Sequence, residues 1–179
     1  MTDAEFERFH AETAAPLHAY LARVGGDDAL ADDLVQTTYL RILRARALPR
    51  DARTLRLYLF RTATNLLRDE FRRSAGDLRR TKRLAAAAAG DQRTWGIETG
   101  GHAAALDFES KIDTRRAFAR MSARDRELLW LAYVVGLSHR EISGVAGVGE
   151  PSVRVLLLRA RRRFASLLTE HGIGPADLT

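Results

Sequence analysis

Apolar residues return every three to four positions along most of the chain, the spacing of an amphipathic helix, and no stretch alternates with the period of two that a half-buried strand requires. Phe6, Phe9, Leu17, Tyr20, Leu21 and Val24 mark a first helix. Thr2 and Glu5 stand at capping-box spacing at its start, and Gly25-Gly26 ends it. Pro16 lacks an amide hydrogen and is expected to kink or restart this helix. A second helix is predicted from Asp27 or Asp28, either of which can cap it, with Leu30, Leu34, Tyr39, Ile42 and Leu43 facing inward. Arg44 to Thr54 contains Pro49 and few apolar residues, so it reads as a loop. A third helix is predicted from about Leu55 to Arg73, packing through Leu55, Leu59, Phe60, Ala63, Leu66, Leu67 and Phe71.

The pattern then lapses. The basic run Arg79-Arg80-Thr81-Lys82-Arg83 leads into Ala85 to Ala89 and a glycine-rich stretch from Gly90 to Gly101, the composition of a linker. Within it, Trp95 and Ile97 are expected to make a small local contact. Helical spacing resumes with Phe108, Ile112, Arg116 and Phe118. Ser122 and Asp125 cap a helix whose apolar content is Leu128, Leu129, Leu131, Tyr133 and Val134, closed by Gly136. Ser138 and Glu141 form a second capping box, for a short helix through Val145. Ala146-Gly147-Val148-Gly149 is a tight turn, and Glu150-Pro151 opens a long helix with proline in its tolerated first turn. The predicted fold is all-α: a helical domain over 1–76, a long linker over 77–107, a second helical domain over 108–170 and a tail over 171–179.

A short helix, a glycine-containing turn and a longer helix make a helix-turn-helix. In such a unit the first helix braces on the phosphate backbone while the second enters the major groove, which is about as wide as a helix. Ile142, Val145, Val148, Val153, Leu157, Ala160 and Phe164 are spaced to face inward, leaving Ser152, Arg154, Arg159, Arg161, Arg162 and Arg163 outside. A formal net charge of +6 and a pI near 10.4 favour a polyanionic partner, without choosing between nucleic acid and an acidic membrane face. The absence of cysteine excludes a disulfide scaffold and a thiolate metal site. No apolar run reaches the roughly 18 residues of a membrane span, and the acidic start Met1 to Glu5 is unlike a signal peptide, so a cytoplasmic protein is expected. His10, His18, His102, His139 and His171 are scattered, and neither a phosphate-binding glycine loop nor metal-ligand spacing is present. No cofactor and no enzymatic chemistry are therefore expected.

Leu137-Ser138-His139-Arg140-Glu141-Ile142, with Val148 to Arg154 and Leu157 to Arg161, resembles region 4 of the extracytoplasmic-function sigma factors, two-domain members of the sigma-70 family. Asp32 to Arg41 resembles region 2.2 of that family, and Leu57 to Asp69 resembles regions 2.3 and 2.4. The resemblance covers most of the chain outside the linker. It implies a first domain built as a three- or four-helix bundle, a second holding the helix-turn-helix, and a function in transcription initiation rather than catalysis. Asp33, Gln36 and Thr37, with Asp32 beside them, would dock on the β′ coiled coil of core RNA polymerase, with the β flap a further contact. Asn65 would read a base extruded from the single-stranded −10 element, with Arg61, Arg68, Arg72 and Arg73 on phosphates. Arg140, Ser152, Arg154, Arg159 and Arg162 would contact the duplex −35 element. The resemblance also admits an anti-sigma factor as a partner.

Several positions depart from the family's pattern. Leu156 stands where a basic residue is common, Leu158 where a histidine or aromatic is common, and Ala132 where arginine is frequent. Tyr58 replaces a usual tryptophan and Thr37 a usual glutamate. Fewer cations predict fewer phosphate contacts and a shallower salt dependence. Leu156 or Leu158 is expected either to touch a thymine methyl or a partner protein, or else to pack inward. The alternative to the whole reading is a stand-alone helix-turn-helix regulator that binds a palindromic duplex operator without polymerase.

Overall fold

A computed structural model describes residues 2–88 and 109–170. Among them are seven helices and no strand. The expected contact of Trp95 and Ile97, the position of Phe108 and the tail over 171–179 lie outside the described residues, as do the side chains of Ile112 and of Arg79 to Arg83.

Helix α1 runs Asp3–Gly25 with both halves of its Thr2/Glu5 capping box formed, and ends where Gly26 takes the left-handed conformation. It passes through Pro16 without a restart. The bond lost at proline is outweighed by the turns beyond it, where Leu17, Tyr20, Leu21 and Val24 are all buried. Helix α2, Asp28–Arg44, is capped by the Asp27 carboxylate. Helix α3, Ala52–Ala88, starts beneath Asp51, whose side chain accepts from the Thr54 amide at 2.7 Å and from its hydroxyl at 2.6 Å. It continues well beyond Arg73 into residues whose composition reads as linker. Alanine and arginine are good helix formers, so nothing in 77–88 stops a helix that is already nucleated.

These three helices pack on one another through Leu17, Tyr20, Ile42, Leu59, Phe60 and Leu67, each less than 2% exposed. Polar groups inside the bundle are paired. Thr64 donates its hydroxyl to the Phe60 carbonyl, so the Tyr20 phenol donates to Thr64 at 2.7 Å. Thr13 bonds its own preceding turn at Phe9 in the same way and accepts from Tyr39 at 2.7 Å. Leu43, expected inside, is 54% exposed: one residue on from fully buried Ile42, it is turned about 100° away from the bundle.

In the second half, α4 covers Glu109–Ala119, α5 Ala123–Tyr133, α6 His139–Ala146 and α7 Glu150–Glu170. Helices α4, α5 and α6 all pack on α7. Tyr133 and Val134 were also expected to be part of the apolar packing, but each is 61% exposed, because α5 ends there and the chain turns away before Gly136. The two halves do not stand apart. Helix α1 packs on α5 and α3 on α6, so a continuous apolar cluster runs through both. Among the described residues, no helix is long and apolar enough to cross a membrane.

Candidate nucleic-acid interface

The helix-turn-helix is formed by α6 and α7. The Ser138 hydroxyl accepts from the Glu141 amide while the Glu141 carboxylate accepts from the Ser138 amide at 2.8 Å, which fixes where α6 begins. Its end is set by Gly147, whose φ of 62° suits a residue without a Cβ, and by the Ser143 hydroxyl donating to the Val148 carbonyl at 2.7 Å. Val153, Leu157 and Ala160 of α7 are buried against Ile142 and Val145 of α6. That burial leaves Ser152, Arg154, Arg159, Arg161 and Arg162 exposed on the outer side, with Arg140 exposed on α6. Arg154, Arg159, Arg161 and Arg162 have no carboxylate partner among the described residues, so their charge is available to a polyanion. Arg163 is instead held by Asp125 at 3.3 Å. Leu156 is partly buried against the core, whereas Leu158 is 40% exposed.

On α3, Tyr58, Arg61, Asn65, Arg68 and Arg72 recur at helical spacing along one face. Arg61 and Asn65 are exposed. Arg72 and Arg73 are also exposed, each paired within one turn to Asp69 and Glu70 respectively. Exposed pairs of this kind contribute about 0–1 kcal/mol, so a phosphate can replace either carboxylate at little cost.

Arg68 is placed differently. Its guanidinium crosses to the second half of the chain, donating to the Glu127 carboxylate at 2.6 Å and to the Ala146 carbonyl at 2.8 Å. Arg124 donates to the same two groups, at 3.2 Å to Glu127 and 3.0 Å to Ala146. Glu127 is buried, and burial pushes its carboxyl above the usual range even though the two guanidiniums pull it down. Ala146 ends α6, where unpaired carbonyls and the helix dipole favour cations. At the other edge Arg126 donates to the Val24 carbonyl at 2.7 Å, near the end of α1. Arg53 reaches Glu141 at 2.6 Å, and its hydrogen bond, with those from Ser138, holds that carboxyl down to about 2. Of the side chains that carry this seam beside Arg68, Glu141 was read from the sequence only as part of a helix cap, and Arg53, Arg124, Arg126 and Glu127 were not singled out. The legible signal was a pair of charges, Arg124 and Glu127, each four positions before a leucine, Leu128 and Leu131, on a stripe that must be buried.

Helix α2 presents a separate face. Asp32, Asp33 and Gln36 are exposed, Thr37 is partly buried, and Asp32 lies 3.1 Å from His18. Asp33, Gln36, Leu40 and Leu43 repeat at spacings of three and four, so one exposed stripe is polar at its start and apolar at its end.

A helical chain with a helix-turn-helix at one end and a second exposed polar helix face at the other has the build of a DNA-binding protein. Residues 10–76 match the Sigma-70 region 2 family and residues 112–164 the Sigma-70, region 4 family. The chain is 33% identical to the ECF RNA polymerase sigma factor SigL of Mycobacterium tuberculosis, over 90% of this chain and 88% of that one. It is 28% identical to the ECF RNA polymerase sigma factor EcfG of Rhodopseudomonas palustris, over 90% and 85%, and 28% identical to the RNA polymerase sigma factor CarQ of Myxococcus xanthus, over 92% and 90%. In fold it is similar to the sigma factor RpoE of Bartonella quintana, solved in complex with the anti-sigma factor NepR, with a TM-score of 0.62 at 21% identity, covering 92% of this chain and 97% of that one. The chain belongs to the extracytoplasmic-function sigma factors, the subunits that direct RNA polymerase to promoters. The alternative of a stand-alone operator-binding regulator is not favoured, because the first half carries its own sigma region.

Proposed function

We propose that the two halves divide the work of promoter recognition, with a polymerase- and −10-binding unit over 1–76 and a −35-binding unit over 108–170, joined across 77–107. The observation that carries this division is that each half holds an exposed polar helix face of its own, on α3 and on α7. The α2 stripe of Asp32, Asp33, Gln36 and Thr37, continued by Leu40 and Leu43, suits docking on another helix, and the β′ coiled coil is the partner we assign to it. The β flap is assigned to the second unit.

Asn65 offers a donor and an acceptor to one base edge, and Tyr58 and Arg61 stand on the same face to stack on a base or hold a phosphate. Extruding a base costs a few kcal/mol, which a pocket for the flipped base returns, so strand opening needs no nucleotide hydrolysis. Arg61, Arg72 and Arg73 are accessible to phosphates as the chain stands, while Arg68 becomes so once its bonds to Glu127 and Ala146 open. Arg140, Ser152, Arg154, Arg159 and Arg162 meet the duplex −35 element. An anti-sigma factor is a further partner in this reading.

The test is run-off transcription from a genomic library with core polymerase, with and without the chain, beside a gel shift of the chain alone. Specific transcripts are expected only when both are present. Permanganate reactivity of thymines in the −10 region should be lost in Asn65→Ala. A chain that binds duplex DNA tightly by itself and leaves core polymerase unaltered would overturn the proposal.

A further inference from the structure

Two apolar side chains stand uncovered on the outer face of α7. Val155 is 48% exposed and Leu158 40%, three positions apart and therefore neighbours on one side of the helix. Ser152 precedes them by one turn, and Arg154, Arg159 and Arg162, all exposed and without a carboxylate partner among the described residues, surround them. Their neighbour Leu156 packs against the core and has its partners already. An apolar pair inside a ring of cations fits a partner that is anionic at its edges and apolar at one point in its middle. Duplex DNA has that character in the major groove, where the base edges present hydrogen-bonding groups except at the 5-methyl of thymine.

We propose that Val155 and Leu158 read thymine methyl groups in the upstream duplex element, while the surrounding arginines hold the phosphates on either side. This rests on the reading that α7 enters the major groove of the −35 element and adds to it a specific preference: thymine, on either strand, opposite the second and third turns of α7. Ser152 and the arginines can make hydrogen bonds and ion pairs, but none of them distinguishes thymine from a base of the same pairing that lacks the methyl. Only the apolar pair does.

The experiment uses holoenzyme reconstituted from core polymerase and the full chain, on a promoter obtained by the run-off selection. Each thymine of the upstream element, on both strands, is replaced in turn by deoxyuridine, which pairs identically and lacks only the methyl. At one or two positions the replacement is expected to lower open-complex formation about threefold to fourfold, the effect of one buried methyl. Val155→Ala and Leu158→Ala holoenzymes should fall to the deoxyuridine level on the thymine promoter and no longer distinguish the two bases. Both side chains are exposed, so folding is checked by an unchanged thermal midpoint. Wild-type holoenzyme indifferent to deoxyuridine throughout the element would overturn the proposal, as would alanine variants that still discriminate. Variants that lose affinity for core polymerase while keeping their thymine preference would make the pair a protein contact and overturn it equally. If no promoter yields a transcript, the promoter-binding reading fails and this one with it; normal transcription without methyl preference removes this one alone.

Discussion

Glu141 shows how much one carboxylate can hold in place. It closes the capping box of α6 and also receives Arg53 from the far half of the chain. Those bonds favour its charged form and bring its carboxyl from the usual 4.5 down to about 2. Because the folded value lies below the unfolded one, the contribution is present in full above pH 4.5 and is lost as the pH falls towards 2. Arg53→Ala removes the largest cause, so the Glu141 carboxyl should titrate nearer its usual range by NMR of the carboxyl carbon, and acid unfolding should begin at a higher pH. An unchanged titration would show that Ser138 alone sets it. At this scale the sequence was legible for caps and less so for faces. Thr2, Ser122 and Ser138 cap as their spacing predicts, and of the two candidates Asp27 and Asp28 it is Asp27 that caps, because a cap is decided by residues within one turn. Leu43, Tyr133 and Val134 were misplaced because apolar character alone does not say which of two adjacent positions faces a neighbour.

Among the elements, the short α6 depends most on its ends. Eight residues are too few for a helix to persist through propensity alone, so the Ser138 cap, the Gly147 exit and the burial of Ile142 and Val145 together define it. Ser138→Ala is expected to lower stability by about 1 kcal/mol in denaturant titration, with a parallel loss of −35 binding because α6 sets the pose of α7. A loss of stability with DNA binding unaltered would show that packing alone holds that pose. Helix α3 carries the opposite lesson. Its start was legible, but its continuation through 77–88 was obscured by a low-complexity composition that resembles a tether and also has high helix propensity. Pro16 was misjudged because a local rule about a missing amide hydrogen takes no account of the tertiary burial on either side of it.

For the whole molecule, two helical units were expected and found, but their packing on each other was not legible, since it rests on contacts such as Arg68 to Glu127 and Arg126 to Val24 that are far apart in sequence. Arg124→Ala with Arg126→Ala removes the seam's donors from α5 without touching the exposed faces of α2, α3 or α7. This variant should have a larger radius of gyration by small-angle scattering than the parent chain. Dimensions equal to the parent's would mean that the apolar contacts of α1 with α5 and α3 with α6 keep the halves together unaided.

The phosphate contact proposed for Arg68 would compete for one guanidinium with the bonds it makes to Glu127 and Ala146. On the proposed reading a phosphate cannot take it while Glu127 and the end of α6 hold it, so the strength with which the chain engages a promoter would be its intrinsic strength multiplied by the fraction of molecules in which that arginine has been given up. Substitutions that weaken the hold, at residues that never meet polymerase or DNA, would then increase initiation at limiting concentrations of this subunit and leave it unchanged at saturation.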